Sequence, residues 1–231
     1  MANIAPQQAW LRYGGIAGIV FVAGNLAAAF LPGAPPKPDA SIADLRAYYV
    51  DHRVAVQIGL YCSGIGMVAG LWFIAALRTL LRGADANGLF ASVTYAAGIA
   101  TSTIALAGAI PVAAAALDPH RDDAVLRALV DFGNVGFALL YFPWALFNGA
   151  ASLAILSSGL FPRWLGLLGL LVAALFLLAA AGLGTTSGPL AAGGAVSFAA
   201  LALGMLWGLG ISVAMLRLRS APSFQARPAT A

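Results

Sequence analysis

The stretch FGNVGFALLYFPWALFNGAASLAILSS, from Phe132 to Ser158, decides the fold of this chain. It carries no charge over its 27 residues, and about 20 apolar residues suffice for a helix to cross the hydrocarbon core of a bilayer. Five polar or aromatic side chains recur in it at spacings of three and four, which places them on one helical face. We call this face the polar stripe, and we expect it to point at other helices rather than at lipid. Its members are Asn134, Phe137, Tyr141, Trp144 and Asn148.

The composition of the whole chain agrees with a membrane protein. Hydrophobic residues make up 61% and charged residues 9% of the 231 residues, whereas about 25% of residues are charged in ordinary soluble domains. The sequence therefore predicts an all-α fold, a single domain of six transmembrane helices over residues 1–219, followed by a disordered cytoplasmic tail over 220–231. The predicted spans cover about 13–31, 54–77, 89–117, 132–158, 165–183 and 190–216.

Two amphipathic segments, residues 41–53 and 120–131, precede the second and fourth spans and fall on the same side of the membrane. Ser41 followed by Asp44 resembles a capping box in which aspartate replaces the usual glutamate. An Asp118–Pro119 pair is typical of a helix start and would open the second segment. We therefore expect two short helices on the outer face of the bundle.

The two amphipathic segments echo each other. Residues 43–47 and 124–128 both read Ala-x-Leu-Arg-Ala, which fits either an internal duplication or two interfacial helices of similar composition. Within the second segment, Asp123 precedes Arg127 by four residues, the favourable order for an ion pair along one helix.

The distribution of charge predicts the orientation. The termini and the second and fourth loops carry seven arginines against one aspartate, whereas the opposite side carries five basic residues and seven aspartates. The positive-inside rule therefore predicts that both termini lie in the cytoplasm. The excess of arginine over lysine, together with abundant Ala and Gly, suggests a GC-rich bacterial genome and hence a bacterial plasma membrane. Four tryptophans fall toward the predicted cytoplasmic ends, as an interfacial belt would: Trp10, Trp72, Trp164 and Trp207.

The residues that are missing from the spans exclude several kinds of chemistry. No predicted span contains His, Lys, Asp or Glu, which argues against haem ligation, a Schiff base and an intramembrane proton relay. Cys62 is the single cysteine, so dithiol redox chemistry is also excluded. We expect no cofactor, and the absence of a clustered basic face argues against nucleic acid as a partner.

Uncharged polar and aromatic side chains on the first, second and fourth spans suggest a binding pocket in the outer half of the bundle. We expect it to take a small apolar or amphipathic ligand, possibly a lipid. The alternative is that these side chains form hydrogen bonds between helices and fix the packing. The candidate residues are Asn25, Gln57, Tyr61, Asn134, Tyr141, Trp144 and Asn148.

Other functions remain open at this point. The protein could be an accessory subunit of another membrane protein, could form a homo-oligomer, or could transport small molecules without ion coupling. His52 and His120, both on the predicted outer face near aspartates, are weak candidates for a metal or catalytic site at the membrane surface. Solvated residues at helix ends would look the same, and we expect no metal.

The motif that opens the fifth span suggests a family. The stretch FPRWLGLLGLLVAALFLL, residues 161–178, resembles an uncharacterised bacterial, actinobacterial-type family of six-helix integral membrane proteins. Its members share a Pro-Arg-Trp-Leu-Gly turn before the fifth span and a polar segment between the first two spans. The resemblance implies the six-span layout and lends no activity, substrate or catalytic residue.

Overall fold

The computed structural model describes residues 6–84, 88–191 and 193–218. These residues form seven helices and no strand, which confirms the all-α fold class. Six of the helices are long and apolar enough to cross a membrane, as the sequence predicts. The predicted tail over 220–231 lies outside the described residues. The helices are α1 Pro6–Phe30, α2 Ile42–Asp51, α3 Arg53–Ala84, α4 Leu89–Leu117, α5 Asp123–Ser158, α6 Arg163–Ala180 and α7 Ala195–Arg217.

The six long helices form a closed ring. Each packs against the next long helix along the chain, and α7 packs back against α1. The short helix α2 and the turn at 118–122 lie at one end of the ring, which we call the α2 end. The opposite end, where α3, α5 and α7 finish, we call the far end. Of the six helices, α5 is the most buried.

Helix α5 is longer than predicted. The amphipathic segment 120–131 does not form a separate helix, because α5 runs from Asp123 through Pro143 to Ser158 without a break. The predicted helix start at Asp118 is therefore wrong. The N-cap is Asp122, whose side chain accepts a hydrogen bond of 2.9 Å from the Ala124 amide.

The connection between α6 and α7 is longer than predicted. Helix α6 ends at Ala180 and α7 begins at Ala195, whereas the sequence placed the fifth span up to 183 and the sixth from 190. Gly184 and Gly188 adopt φ values of 86° and 85°, a left-handed conformation that a helix cannot continue through.

Close contacts at glycines pack the ring. A methyl group added to Gly24 of α1 would lie 2.5 Å from the Cys62 carbonyl oxygen of α3. Gly66 of α3 faces the same part of α1, and Gly204 of α7 packs against Phe176 of α6. The two Gly-x-x-x-Gly motifs that begin at Gly66 and Gly204 therefore serve packing within this chain.

The α2 end is held by arginines. Ser41 caps α2, accepting a hydrogen bond of 3.1 Å from the Asp44 amide. Further along α2, Arg46 donates to the backbone carbonyl oxygens of Pro119 at 3.2 Å and Arg121 at 3.1 Å. Arg46 also pairs with the Asp123 carboxylate. This guanidinium therefore joins α2 to the turn before α5.

Arg127 of α5 makes the reciprocal contact. It donates to the carbonyl oxygens of Pro38 at 3.1 Å and Ala40 at 2.5 Å, in the segment before α2. The predicted pair between Asp123 and Arg127 is therefore wrong, because each side chain has a partner on the other segment. We call Arg46, Arg127 and the four carbonyl groups that they bind the arginine clamp.

The clamp relates two parts of the chain by a constant offset. Arg46 and Arg127 are 81 residues apart, as are their acceptors Pro38 and Pro119, and Ala40 and Arg121. The two N-caps, Ser41 and Asp122, are separated by the same 81 residues. The Ala-x-Leu-Arg-Ala echo in the sequence therefore corresponds to a structural repeat at the α2 end.

Candidate functional site

The polar stripe is buried only in its second half. Asn134 is half-buried and Phe137 is 43% exposed, whereas Tyr141, Trp144 and Asn148 are buried. An exposed phenylalanine suits a surface that faces acyl chains, because lipid is as apolar as the protein interior. The stripe therefore starts at the membrane-facing surface and turns into the ring from Tyr141 onward.

Aromatic stacking fills the ring beside the stripe. The rings of Tyr141 and Trp144 stack on Phe176 of α6, with centroids 5.7 and 4.7 Å apart. Phe147 meets Trp207 of α7 edge to face at 5.8 Å. Contacts of this kind contribute about 0.5–1.5 kcal/mol beyond the burial of area. These rings thus join α5, α6 and α7 through direct packing.

Two polar oxygens on the buried face of α5 have no hydrogen-bond partner in the described chain. Asn148 donates its side-chain amide to the Trp144 carbonyl of its own helix at 2.9 Å, but its Oδ1 is buried and unpartnered. The Ser152 hydroxyl, one turn further on, is also buried without a partner. It packs against Gly169 of α6. Burial of such groups without a partner costs free energy. These two oxygens could therefore form hydrogen bonds that the described residues do not provide.

The other candidates from the sequence lie elsewhere in the ring. Asn25 of α1 donates to the Phe21 carbonyl at 2.8 Å and accepts a hydrogen bond of 3.3 Å from Ser63 of α3. Gln57 is half-buried on α3, and Tyr61 is 72% exposed on the outer surface of the bundle. The seven predicted residues therefore do not converge on one pocket. Asn25 instead follows the alternative reading, in which an amide fixes helix packing.

The two histidines lie near the α2 end of the bundle. His52 is the C-cap of α2 and packs edge-on against Tyr48 at 5.0 Å, and His120 lies exposed in the turn before α5. Within the described parts of the chain, no group of three or more His, Cys, Asp or Glu side chains could hold a metal ion.

The far end carries two grooves that the sequence did not predict. The larger, the α6–α7 groove, has a volume of about 540 Å³ and lies between the start of α6 and the end of α7. The smaller, the α1–α3 groove, has a volume of about 270 Å³. The α6–α7 groove is lined by apolar side chains and Arg217, among them Leu160, Trp164, Leu206, Gly210 and Val213. The α1–α3 groove is lined by Trp10, Tyr13, Trp72, Ala75 and Thr79, among others, with no charged residue.

Some residues at the ends of the α6–α7 groove can be recognised in the sequence as helix-end residues. Pro162 and Trp164 mark the start of α6, and Arg217 ends α7. The turn motif identifies a helix start at the membrane interface, but it does not indicate a groove between α6 and α7. Trp207 was expected in the interfacial belt, yet it is 1% exposed and donates to the Leu165 carbonyl at 3.0 Å.

The ring of six apolar helices defines a polytopic integral membrane protein. A family model described as Domain of unknown function (DUF4386) matches residues 12–222, so the chain belongs to this family. This confirms the resemblance to an uncharacterised family. Neither the comparison with curated proteins nor that with solved structures gave a match.

Proposed function

We propose that this protein holds an amphipathic lipid in the α6–α7 groove, in a bacterial plasma membrane with both termini in the cytoplasm. The groove itself carries the proposal. Its volume of about 540 Å³ falls within the range of about 300–1,000 Å³ that is typical of small-ligand sites. Its walls are apolar apart from one arginine, which matches a molecule with an apolar chain and a polar head.

The length of the groove fits one leaflet. Its α7 wall runs from Leu206 to Leu218, which at 1.5 Å per residue is about 18 Å. Half of a hydrocarbon core of roughly 30 Å is about 15 Å. An acyl chain that starts near Arg217 would therefore reach about the bilayer centre beside Leu206.

The orientation follows from the charges. Among the described residues, the far end carries five arginines and no carboxylate: Arg12, Arg78, Arg82, Arg163 and Arg217. The α2 end carries seven aspartates against five basic residues. The positive-inside rule therefore favours a cytoplasmic far end. A fluorescent protein fused to the C-terminus should fluoresce in cells, and activity of a periplasmic reporter at that position would contradict the orientation.

A groove-filling variant tests lipid binding. The purified protein is equilibrated with equal amounts of phosphatidylglycerol and phosphatidylcholine, and retained lipid is counted by native mass spectrometry. Val213→Trp should reduce the total retained several-fold, because the indole occupies the groove. Ala75→Trp is the matched control, since it places the same side chain in the α1–α3 groove.

Both variants should keep the thermal unfolding midpoint of the natural protein. Equal retention by Val213→Trp and the natural protein, or retention of no lipid by the natural protein, would contradict the proposed function.

A further inference from the structure

We propose, building on the lipid site above, that the α6–α7 groove selects an anionic phospholipid whose phosphate pairs with Arg217. Of the described residues that line the groove, Arg217 is the charged one. It lies in the last turn of α7, at the end of the groove where a lipid headgroup would sit. Arginine binds a phosphate group with two parallel N–H groups. In a zwitterionic headgroup such as phosphocholine, the nearby cation offsets the charge of the phosphate and is repelled by the arginine, so a headgroup with a net negative charge is attracted more strongly.

Arg217 belongs to no ion pair among the described residues. Both ion pairs found among those residues lie at the α2 end. Trp164, on the opposite wall of the groove, is 57% exposed, as is typical of a side chain at the headgroup level. The groove thus combines an apolar wall, an interfacial aromatic ring and a cation in the order in which a phospholipid presents its parts.

The expected selectivity is modest and measurable. One arginine near an anionic membrane surface contributes about 1 kcal/mol, which corresponds to a ratio of about five-fold. In the mass-spectrometry experiment, the natural protein should retain phosphatidylglycerol over phosphatidylcholine by about that factor. Arg217→Gln should bring the ratio close to one, whereas Arg217→Lys should keep most of it. Arg12→Gln, which removes an exposed charge from α1 at the same end, should leave the ratio unchanged.

The outcomes separate this inference from the proposed function. Equal retention of both lipids by the natural protein, with loss of both in Val213→Trp, would overturn the anionic selectivity and leave lipid binding in place. An equal fall in the ratio for Arg12→Gln and Arg217→Gln would also overturn it, because the effect would then come from general surface charge. Failure of Val213→Trp to reduce retention would overturn the lipid site itself.

A second inference comes independently from the α2 end: we infer that the arginine clamp is one cooperative unit in which the segments 38–46 and 119–127 hold each other closed. Each segment supplies one arginine and two carbonyl acceptors to the other. Leu45 and Leu126, which precede the two arginines, are 1% and 0% exposed. Both arginines are therefore anchored beside buried leucines, so release of one segment removes the acceptors of the other.

Hydrogen exchange of the whole protein in lipid nanodiscs tests this cooperativity. Lysine keeps the charge but loses the planar fork that reaches two carbonyls, so Arg46→Lys and Arg127→Lys are the informative variants. Either should speed amide exchange about ten-fold in both segments, the factor expected for the loss of one charge-assisted hydrogen bond. Arg163→Lys, which makes the same substitution at an exposed residue of the far end, is the control and should change neither. Faster exchange in one segment alone would overturn the inference.

Discussion

Replacing Ser152 by alanine tests how the buried face of α5 is satisfied. The Ser152 side chain is fully buried and packs against Gly169 of α6. Its hydroxyl has no hydrogen-bond partner among the residues that the structure describes. A buried polar group without a partner costs about 1–3 kcal/mol. Alanine removes this one oxygen and leaves only a very small void. We therefore expect Ser152→Ala to raise the free energy of unfolding by about 1 kcal/mol.

Ser212 of α7 is the matched control. It is also 0% exposed, but its hydroxyl donates to the Gly208 carbonyl of its own helix at 2.7 Å. Alanine at this position removes a hydrogen bond that is satisfied, so the free energy of unfolding should fall by about 0.5–1 kcal/mol. Reversible unfolding in mixed micelles of rising sodium dodecyl sulfate content, followed by tryptophan fluorescence, measures both changes.

The opposite signs of the two effects make the comparison decisive. If Ser152→Ala lowers the free energy of unfolding as much as Ser212→Ala does, the Ser152 hydroxyl must have a partner from outside the described chain. A bound molecule inside the ring would then contact α5. That result would refute the packing interpretation of this face and would favour a ligand in the interior, close to Asn148.

Two further predictions concern close packing and pH. Gly169→Ala should destabilise the protein by more than about 1 kcal/mol in the same assay, because the new methyl group would lie 2.5 Å from Trp207 Nε1. Gly64→Ala is the control and should be neutral or slightly stabilising, since there is open space around Gly64. Burial, and then the neighbouring Tyr48, raise the pKa of Tyr49 to about 12. Because the unfolded value is about 10, the neutral phenol stabilises the fold fully below pH about 10, and this contribution is lost as the pH rises toward about 12. Tyr49→Phe should flatten this loss in thermal unfolding, and an unchanged pH profile would contradict it.

The layout of the spans was predictable because it rests on length and charge alone. Six uncharged runs of sufficient length predicted six spans, and the structure has six such helices. The spacing within Phe132–Ser158 predicted that Tyr141, Trp144 and Asn148 face the interior of the ring, and all three are buried. Helical periodicity is informative there because three polar or amphipathic side chains repeat on one face, and hydrocarbon disfavours polar groups.

The sequence did not predict whether a single aromatic side chain points at lipid or into the ring. Tyr61 was assigned to the interior and is 72% exposed, whereas Trp207 was assigned to the interface and is 1% exposed. Lipid tails and protein interior are equally apolar, so composition does not say which side of a spanning helix faces which. The burial of Trp207 could not be predicted without its hydrogen-bond partner, the Leu165 carbonyl, which lies 42 positions earlier in the chain.

The contacts of the arginines could not be predicted from the sequence either. Sequence spacing favoured a local pair between Asp123 and Arg127, worth about 0.2–0.5 kcal/mol. Arg127 instead reaches two backbone carbonyls 87 and 89 residues away. These carbonyls lie in the irregular segment before α2, where no regular secondary structure supplies them with partners. Only the folded chain brings them within reach.

The structural repeat at the α2 end includes the first five helices but not α6 and α7. One repeat consists of α1, α2 and α3, and the other consists of α4 and α5. In each repeat, one arginine donates hydrogen bonds to two backbone carbonyl groups of the other repeat. Helices α6 and α7 stand outside that exchange, joined by an uncharged, glycine-rich connection, and the larger groove opens between them. The two repeated hairpins thus contact each other through the arginine clamp, whereas the third hairpin, α6 with α7, takes no part in it. Changes that alter the larger groove can therefore leave the clamp in place.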